Sequence, residues 1–149
     1  MIQRIQSVFL LLAAGAMGSQ FVLPYLQTPA DNPARALSAL SDGVLTPPDN
    51  PGLLGLTVLG AAVSFAAIFL FKNRPLQGRL AGVSMIVGIL LIALVVFTTK
   101  ATIDQAPQGS TVNFAAGLGM PLLALVFNWL ATRSIRKDEA LVRSMDRLR

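Results

Sequence analysis

The acidic side chains number seven: Asp31, Asp42, Asp49, Asp104, Asp138, Glu139 and Asp146. General acid–base catalysis needs such a group held close to a reacting proton and tuned by its neighbours. No histidine and no cysteine accompany these acids. Their absence removes imidazole bases, thiolate nucleophiles, disulfides, haem attachment and the commonest zinc sites. The acids form no recognised motif, and those in loops read as solvated or capping groups. No catalytic, cofactor-binding or metal residue is therefore expected, and the chain reads as a non-enzyme.

The polar neutral residues inside apolar stretches are Gln20, Thr57, Ser64, Ser84, Asn113 and Asn128. Each can hydrogen-bond between packed helices for about 1 kcal/mol. Asn128, beside Trp129, is the best single polar site. Ion and proton pathways through membranes ordinarily carry ionisable side chains at depth, and none falls in these stretches.

The elements that must position these groups follow from composition. Of 149 residues, 54% are hydrophobic and only 13% charged, with a mean hydropathy of +0.65. A soluble domain carries about 25% charged residues, so a membrane protein is the natural reading. Charges divide the chain into long uncharged blocks: 26 residues between Arg4 and Asp31, 22 between Asp49 and Lys72, 20 between Arg79 and Lys100, and 28 between Asp104 and Arg133. A hydrocarbon core about 30 Å thick needs about 20 apolar residues. Prolines and glycines trim the blocks to spans of about 5–26, 53–71, 80–99 and 112–132. The expected architecture is an all-α membrane protein: a four-helix transmembrane bundle over 1–132 and a basic tail over 133–149.

Lysine and arginine set the orientation, because positively charged loops stay on the cytoplasmic side. Ten of the twelve cations lie in the two terminal segments and the middle loop, leaving Arg35 and Lys100 on the other side. Both termini are expected in the cytoplasm. The same division accounts for the basic charge without nucleic acid, which is not expected as a partner. Met1–Arg4, the apolar run and Ala14–Gly15–Ala16 also resemble a signal peptide. The apolar run continues through Leu23, however, so the segment is read as a retained helix ending at Pro24 and Tyr25.

In the first external loop, Asn32 as N-cap, Pro33, the stripe Leu37, Leu40 and Val44, and Gly43 as a stop predict a short helix. Pro75 and the short Lys72–Arg79 connection predict an antiparallel hairpin of the second and third spans. Pairs of small residues four apart, Gly60–Ser64, Gly78–Gly82, Ser84–Gly88 and Ala115–Gly119, allow close helix approach, within one bundle or between copies. Pro121 is expected to kink the fourth helix.

The tail from Arg133 lacks Pro and Gly. Ile135, Leu141, Val142, Met145 and Leu148 recur at helical spacing, and Glu139–Arg143 is a favourable i,i+4 pair. An amphipathic helix is expected, continuing the fourth span or lying on the membrane surface. Arg136, Lys137, Glu139, Arg143, Asp146 and Arg147 are its candidate contacts to a protein partner or to anionic membrane lipid.

The opening MIQRIQSVFLLLAA and the close IRKDEALVRSMDRLR resemble a Bacteroidota family of small four-span membrane proteins, domain of unknown function 4293. The resemblance is specific at the two ends and generic in the apolar spans. It implies a multi-pass protein of the bacterial inner (cytoplasmic) membrane with both termini inside, and it supplies no activity, cofactor or catalytic residue. It also raises the expectation that Gln3, Arg4 and Gln6 share a cytoplasmic surface with Lys137, Asp138, Glu139, Arg143, Ser144, Asp146 and Arg147. The function expected is a scaffold or accessory subunit that docks a protein partner or anionic lipid, or assembles with its own copies. The alternative is a small oligomeric transporter or channel.

Overall fold

The computed structural model describes residues 2–71 and 73–146, with side chains from Ile5 onward except those of Arg143, Met145 and Asp146. Four helices account for most of it: α1 (Ile2–Gly18), α2 (Pro51–Phe69), α3 (Arg74–Asp104) and α4 (Met120–Asp146). Each packs on two neighbours: α1 on α2 and α4, and α3 on α2 and α4. The helices thus close a ring in which the first and last touch. One end of the ring carries both terminal segments and the α2–α3 turn; the opposite end carries the two long loops.

Local chemistry sets the helix starts. The Asn50 side chain accepts from the backbone N–H groups of Gly52 and Leu53, with Pro51 in the first turn of α2. Asn73 does the same for Leu76, with Pro75 in the first turn of α3. These caps satisfy amide donors that the helices leave unpaired, at positions where proline's missing N–H costs nothing.

The helices α2, α3 and the stretch Ala116–Val142 are long and apolar enough to cross a membrane, whereas the apolar helical stretch Ile5–Phe21 is shorter. These three long apolar helices mark a multi-pass membrane protein. The buried stripe of α2 is Leu53, Thr57, Gly60, Ser64 and Ala67, residues three or four apart and mostly small or polar. Its large apolar side chains, among them Val58, Phe65 and Phe69, face outward. An outer surface of large apolar groups around a small, polar inner stripe suits lipid surroundings, where close backbone approach replaces hydrophobic burial as the source of association.

At the loop end a three-stranded antiparallel sheet closes the bundle. Its central strand β1 (Leu26–Gln27) pairs with β2 (Val44–Leu45) and with β3 (Asn113–Phe114). Leu26 lies opposite Leu45 on one side and Phe114 on the other. Three expectations change here. First, α1 stops at Gly18 and passes through a 3-10 turn at 19–21, well before residue 26. Pro24 disfavours helix at the residue before it, and Tyr25 is committed on both sides, its N–H donating to Leu45 O and its carbonyl accepting from Ala115 N.

Second, the loop helix predicted after Asn32 is replaced by two 3-10 turns, 33–36 and 38–40. Asn32 does cap, accepting from Ala34 N, but Leu37 is extended at φ −75° and ψ 134° and splits the run. The Gly43 carbonyl accepts from Thr28 N, so strand pairing takes backbone groups that a helix would need. Gly43 itself has φ +90° and lies against the Arg35 guanidinium. Third, Pro121 does not kink a helix; it is the second residue of α4, where its missing donor is harmless. The chain before it forms β3 and a 3-10 turn at 116–119.

Candidate functional site

Two polar constructions and one groove sit toward the terminal end. The deepest construction links three helices. Asn128 Nδ2 donates to Ser84 Oγ at 3.0 Å, the Ser64 and Ser84 hydroxyls share a bond of 2.6 Å, and Ser64 Oγ lies 3.4 Å from Asn128 Oδ1. All three side chains are fully buried. Thr132, one turn on, donates its hydroxyl to the Asn128 carbonyl. Within this triangle the serines face an amide, which is no proton acceptor of useful basicity, so its chemistry is cross-linking by hydrogen bonds. Nearby, Gln77 is buried and its Nε2 donates to Ala67 O at 3.0 Å, binding the start of α3 to the end of α2.

The second construction joins the two ends of the chain. Gln6 Nε2 donates to Asp138 Oδ2 at 3.0 Å and lies 3.3 Å from Ser134 O. Both side chains are buried. The structure thus brings Gln6 and Asp138 together, as a buried pair and not as part of the exposed surface expected of them, and α4 runs unbroken through Asp146. The Gln3, Arg4, Arg143 and Asp146 side chains, and all of Arg147, lie outside the described residues, as do the stripe side chains of Met145 and Leu148.

Between α3 and α4, on the outside of the ring, runs a groove. Its upper part, about 490 Å³, is lined by Met85, Trp129, Arg133, Arg136, Lys137 and neighbours. The Arg133 guanidinium sits 5.5 Å from the centre of the Trp129 ring, within cation–π range. Met85 and Trp129 also border an apolar continuation of about 240 Å³, completed by Ile89, Leu125 and Val126. On the other side of Arg136 a hollow of about 420 Å³ is lined by Arg79, Gly78, Gly82 and Glu139 among others. Of the anticipated contacts, Arg136, Lys137 and Glu139 therefore border these hollows.

The small residues divide. Gly60 meets the Met17 thioether, with Cε 3.1 Å from where a Cβ would stand, and Val87. Gly88 meets the same Met17 and Leu125, and Gly78 meets Ile135. Ser64 and Ser84 belong to the triangle. Gly82 and Gly119 have open space around them, and Ala115 serves through its backbone. A glycine not singled out by spacing is the tightest: at Gly117 a Cβ would collide with the backbone carbonyls of Leu23 and Pro24. Its partners lie far away in sequence, so no local pattern points to it. Gln77 was likewise hidden, because it lies in a stretch whose charges read as loop. Tyr25, expected at the end of the first span, is fully buried and donates its hydroxyl to Gln20 Oε1 at 2.5 Å.

The chain matches the family model described as Domain of unknown function (DUF4293) over residues 2–148 and belongs to that family. No curated protein and no solved structure matches it.

Proposed function

We propose that this DUF4293-family chain is a non-enzymatic scaffold or accessory subunit of the bacterial inner membrane, with both termini in the cytoplasm. Its cytoplasmic end docks a partner protein or lipid headgroups. The observation that carries the reading is the Gln6–Asp138 bond: it fastens the start of the chain to a helix that extends beyond the apolar region and bears Arg133, Arg136 and Lys137. A cationic stretch of α4 anchored to the start of the chain by a buried bond is a platform for binding.

Orientation rests on the distribution of cations. Arg74, Arg79, Arg133, Arg136 and Lys137 gather at the terminal end, against Arg35 and Lys100 at the loop end, and the positive end is the cytoplasmic one. The transporter alternative draws less support, because the Asn128 cluster satisfies its polar groups internally and presents no ionisable group. Isolation of the tagged full-length protein in mild detergent tests the reading. A reproducible partner or bound anionic lipid supports it; a monodisperse protein that enriches neither overturns it. Solute or ion flux in reconstituted vesicles, lost on changing Asn128 or Gln20, would favour the alternative.

A further inference from the structure

We infer that the outward groove between α3 and α4 seats one anionic diacyl phospholipid of the cytoplasmic leaflet, with an acyl chain along Ile89, Leu125 and Val126 and the phosphate at Arg133, Arg136 and Lys137. The choice of leaflet rests on the orientation proposed above; the seat itself rests on the groove.

The order of side chains along α4 carries the argument. Leu125 and Val126 are apolar, Trp129 follows one turn on, Arg133 one turn further, and Arg136 with Lys137 at the end. From Leu125 to Lys137 the helix rises about 18 Å, close to one half of a hydrocarbon core about 30 Å thick plus the start of its polar layer. The sequence of chemistry therefore matches the depth profile of a phospholipid: tail, interfacial aromatic, then phosphate. The lining itself is continuous, since Met85 and Trp129 border both the apolar and the cationic parts.

Charge selects the headgroup. Among the described residues the cationic part is bordered by Arg133, Arg136 and Lys137 and by no acid, so it complements a net negative headgroup and discriminates weakly for a zwitterion. Trp129 holds the Arg133 guanidinium over its face, fixing one donor fork at the level where a phosphate would lie. Thr132 turns its hydroxyl back to the Asn128 carbonyl at 2.9 Å, which leaves the three cations as what the groove offers a ligand. Basic pockets of this kind between membrane helices on the cytoplasmic side suit anionic headgroups.

Trp129 is the sole tryptophan of the chain and reports directly on occupancy. The full-length protein is reconstituted in phosphatidylcholine vesicles containing brominated phosphatidylglycerol, and in the converse mixture with the bromine on phosphatidylcholine. Quenching of Trp129 at a lower mole fraction of the brominated anionic lipid supports the seat. The variant Arg133→Gln/Arg136→Gln/Lys137→Gln should lose that preference, by about fivefold for each cation removed. The variant Arg133→Lys/Arg136→Lys and the opposite-end variant Arg35→Gln/Lys100→Gln should retain it. Equal quenching by both lipids overturns the proposal, as does a preference that survives the triple variant. Quenching in both lipids alike that falls as protein density rises would assign the groove to a second copy and also overturn it. A partner that still co-isolates when the preference is absent leaves the scaffold reading standing without the seat; a preference without any partner leaves both standing, the reading on its lipid branch alone.

Discussion

Gln6 and Asp138, 132 positions apart, share a buried hydrogen bond of 3.0 Å. Replacing Gln6 by Ala strips the Asp138 carboxylate of that donor inside a buried site. The expected cost is about 1–3 kcal/mol, read as lowered resistance to unfolding in detergent. Asp138→Asn keeps an acceptor for the Gln6 amide and should cost less. A double-mutant cycle with no coupling between the two positions would show that they act independently.

The Ser64–Ser84–Asn128 triangle predicts unequal effects. Asn128→Ala removes the only amide and leaves the serines bonded to each other, whereas Ser64→Ala leaves the shorter of the two Asn128 bonds, 3.0 Å to Ser84, in place. The Asn128 variant should lose about 1 kcal/mol and the Ser64 variant less. Denaturant titration of the reconstituted protein gives the order, and the reverse order would contradict the geometry.

Gly117 and Gly119, two residues apart, should respond unequally to alanine. At 119 the added methyl meets nothing within 4 Å, while at 117 it strikes the Leu23 and Pro24 carbonyls. Backbone cannot yield as a side-chain tip can, so Gly117→Ala should cost about 1–3 kcal/mol and Gly119→Ala close to none. Comparable melting of the two proteins would sink the claimed contact.

Tyr25 is the single tyrosine, and burial pushes its phenol from 10.0 up to about 12. Because the folded value is the higher one, its contribution to stability is complete below pH 10 and is lost as pH rises from 10 through about 12. Ultraviolet titration should show one tyrosinate transition in that upper range for the folded protein and near pH 10 after denaturation. A folded transition at pH 10 would mean that the ring is open to solvent.

Orientation is checked with single cysteines in a chain that has none. An impermeant thiol reagent applied to intact cells should label Gln105→Cys and spare Leu76→Cys. The reverse pattern would invert the topology.

The helices were legible because their signal is compositional and local: uncharged blocks, proline at helix starts, and a tail without breakers. Asn128 was legible as a polar residue in an apolar run, but its partners were not, since Ser64 and Ser84 come from other helices. The loop end defeated local reading for the same reason. Asn32 and Pro33 do open a helical turn, yet the outcome is decided by Thr28, Gly43 and Thr111, whose pairings no periodicity reveals. The stop of α1 at Gly18 is likewise set by the commitments of Tyr25 to Leu45 and Ala115. The basic groove was half visible, as cations on one helix, and Met85 from a neighbouring helix gives it its second wall.

The central position of β1 also fixes a timetable. Its first partner, β2, is synthesised shortly after it, but β3 and the Thr111 carbonyl, which accepts from Thr28 83 positions earlier, emerge only when the last helix is about to be made. Until then one edge of β1 has unpaired backbone groups, and edges of that kind recruit other chains. A nascent protein stalled before residue 113 would therefore carry α1, α2 and α3 with an open strand between the first two, a form suited to surveillance by chaperones or proteases.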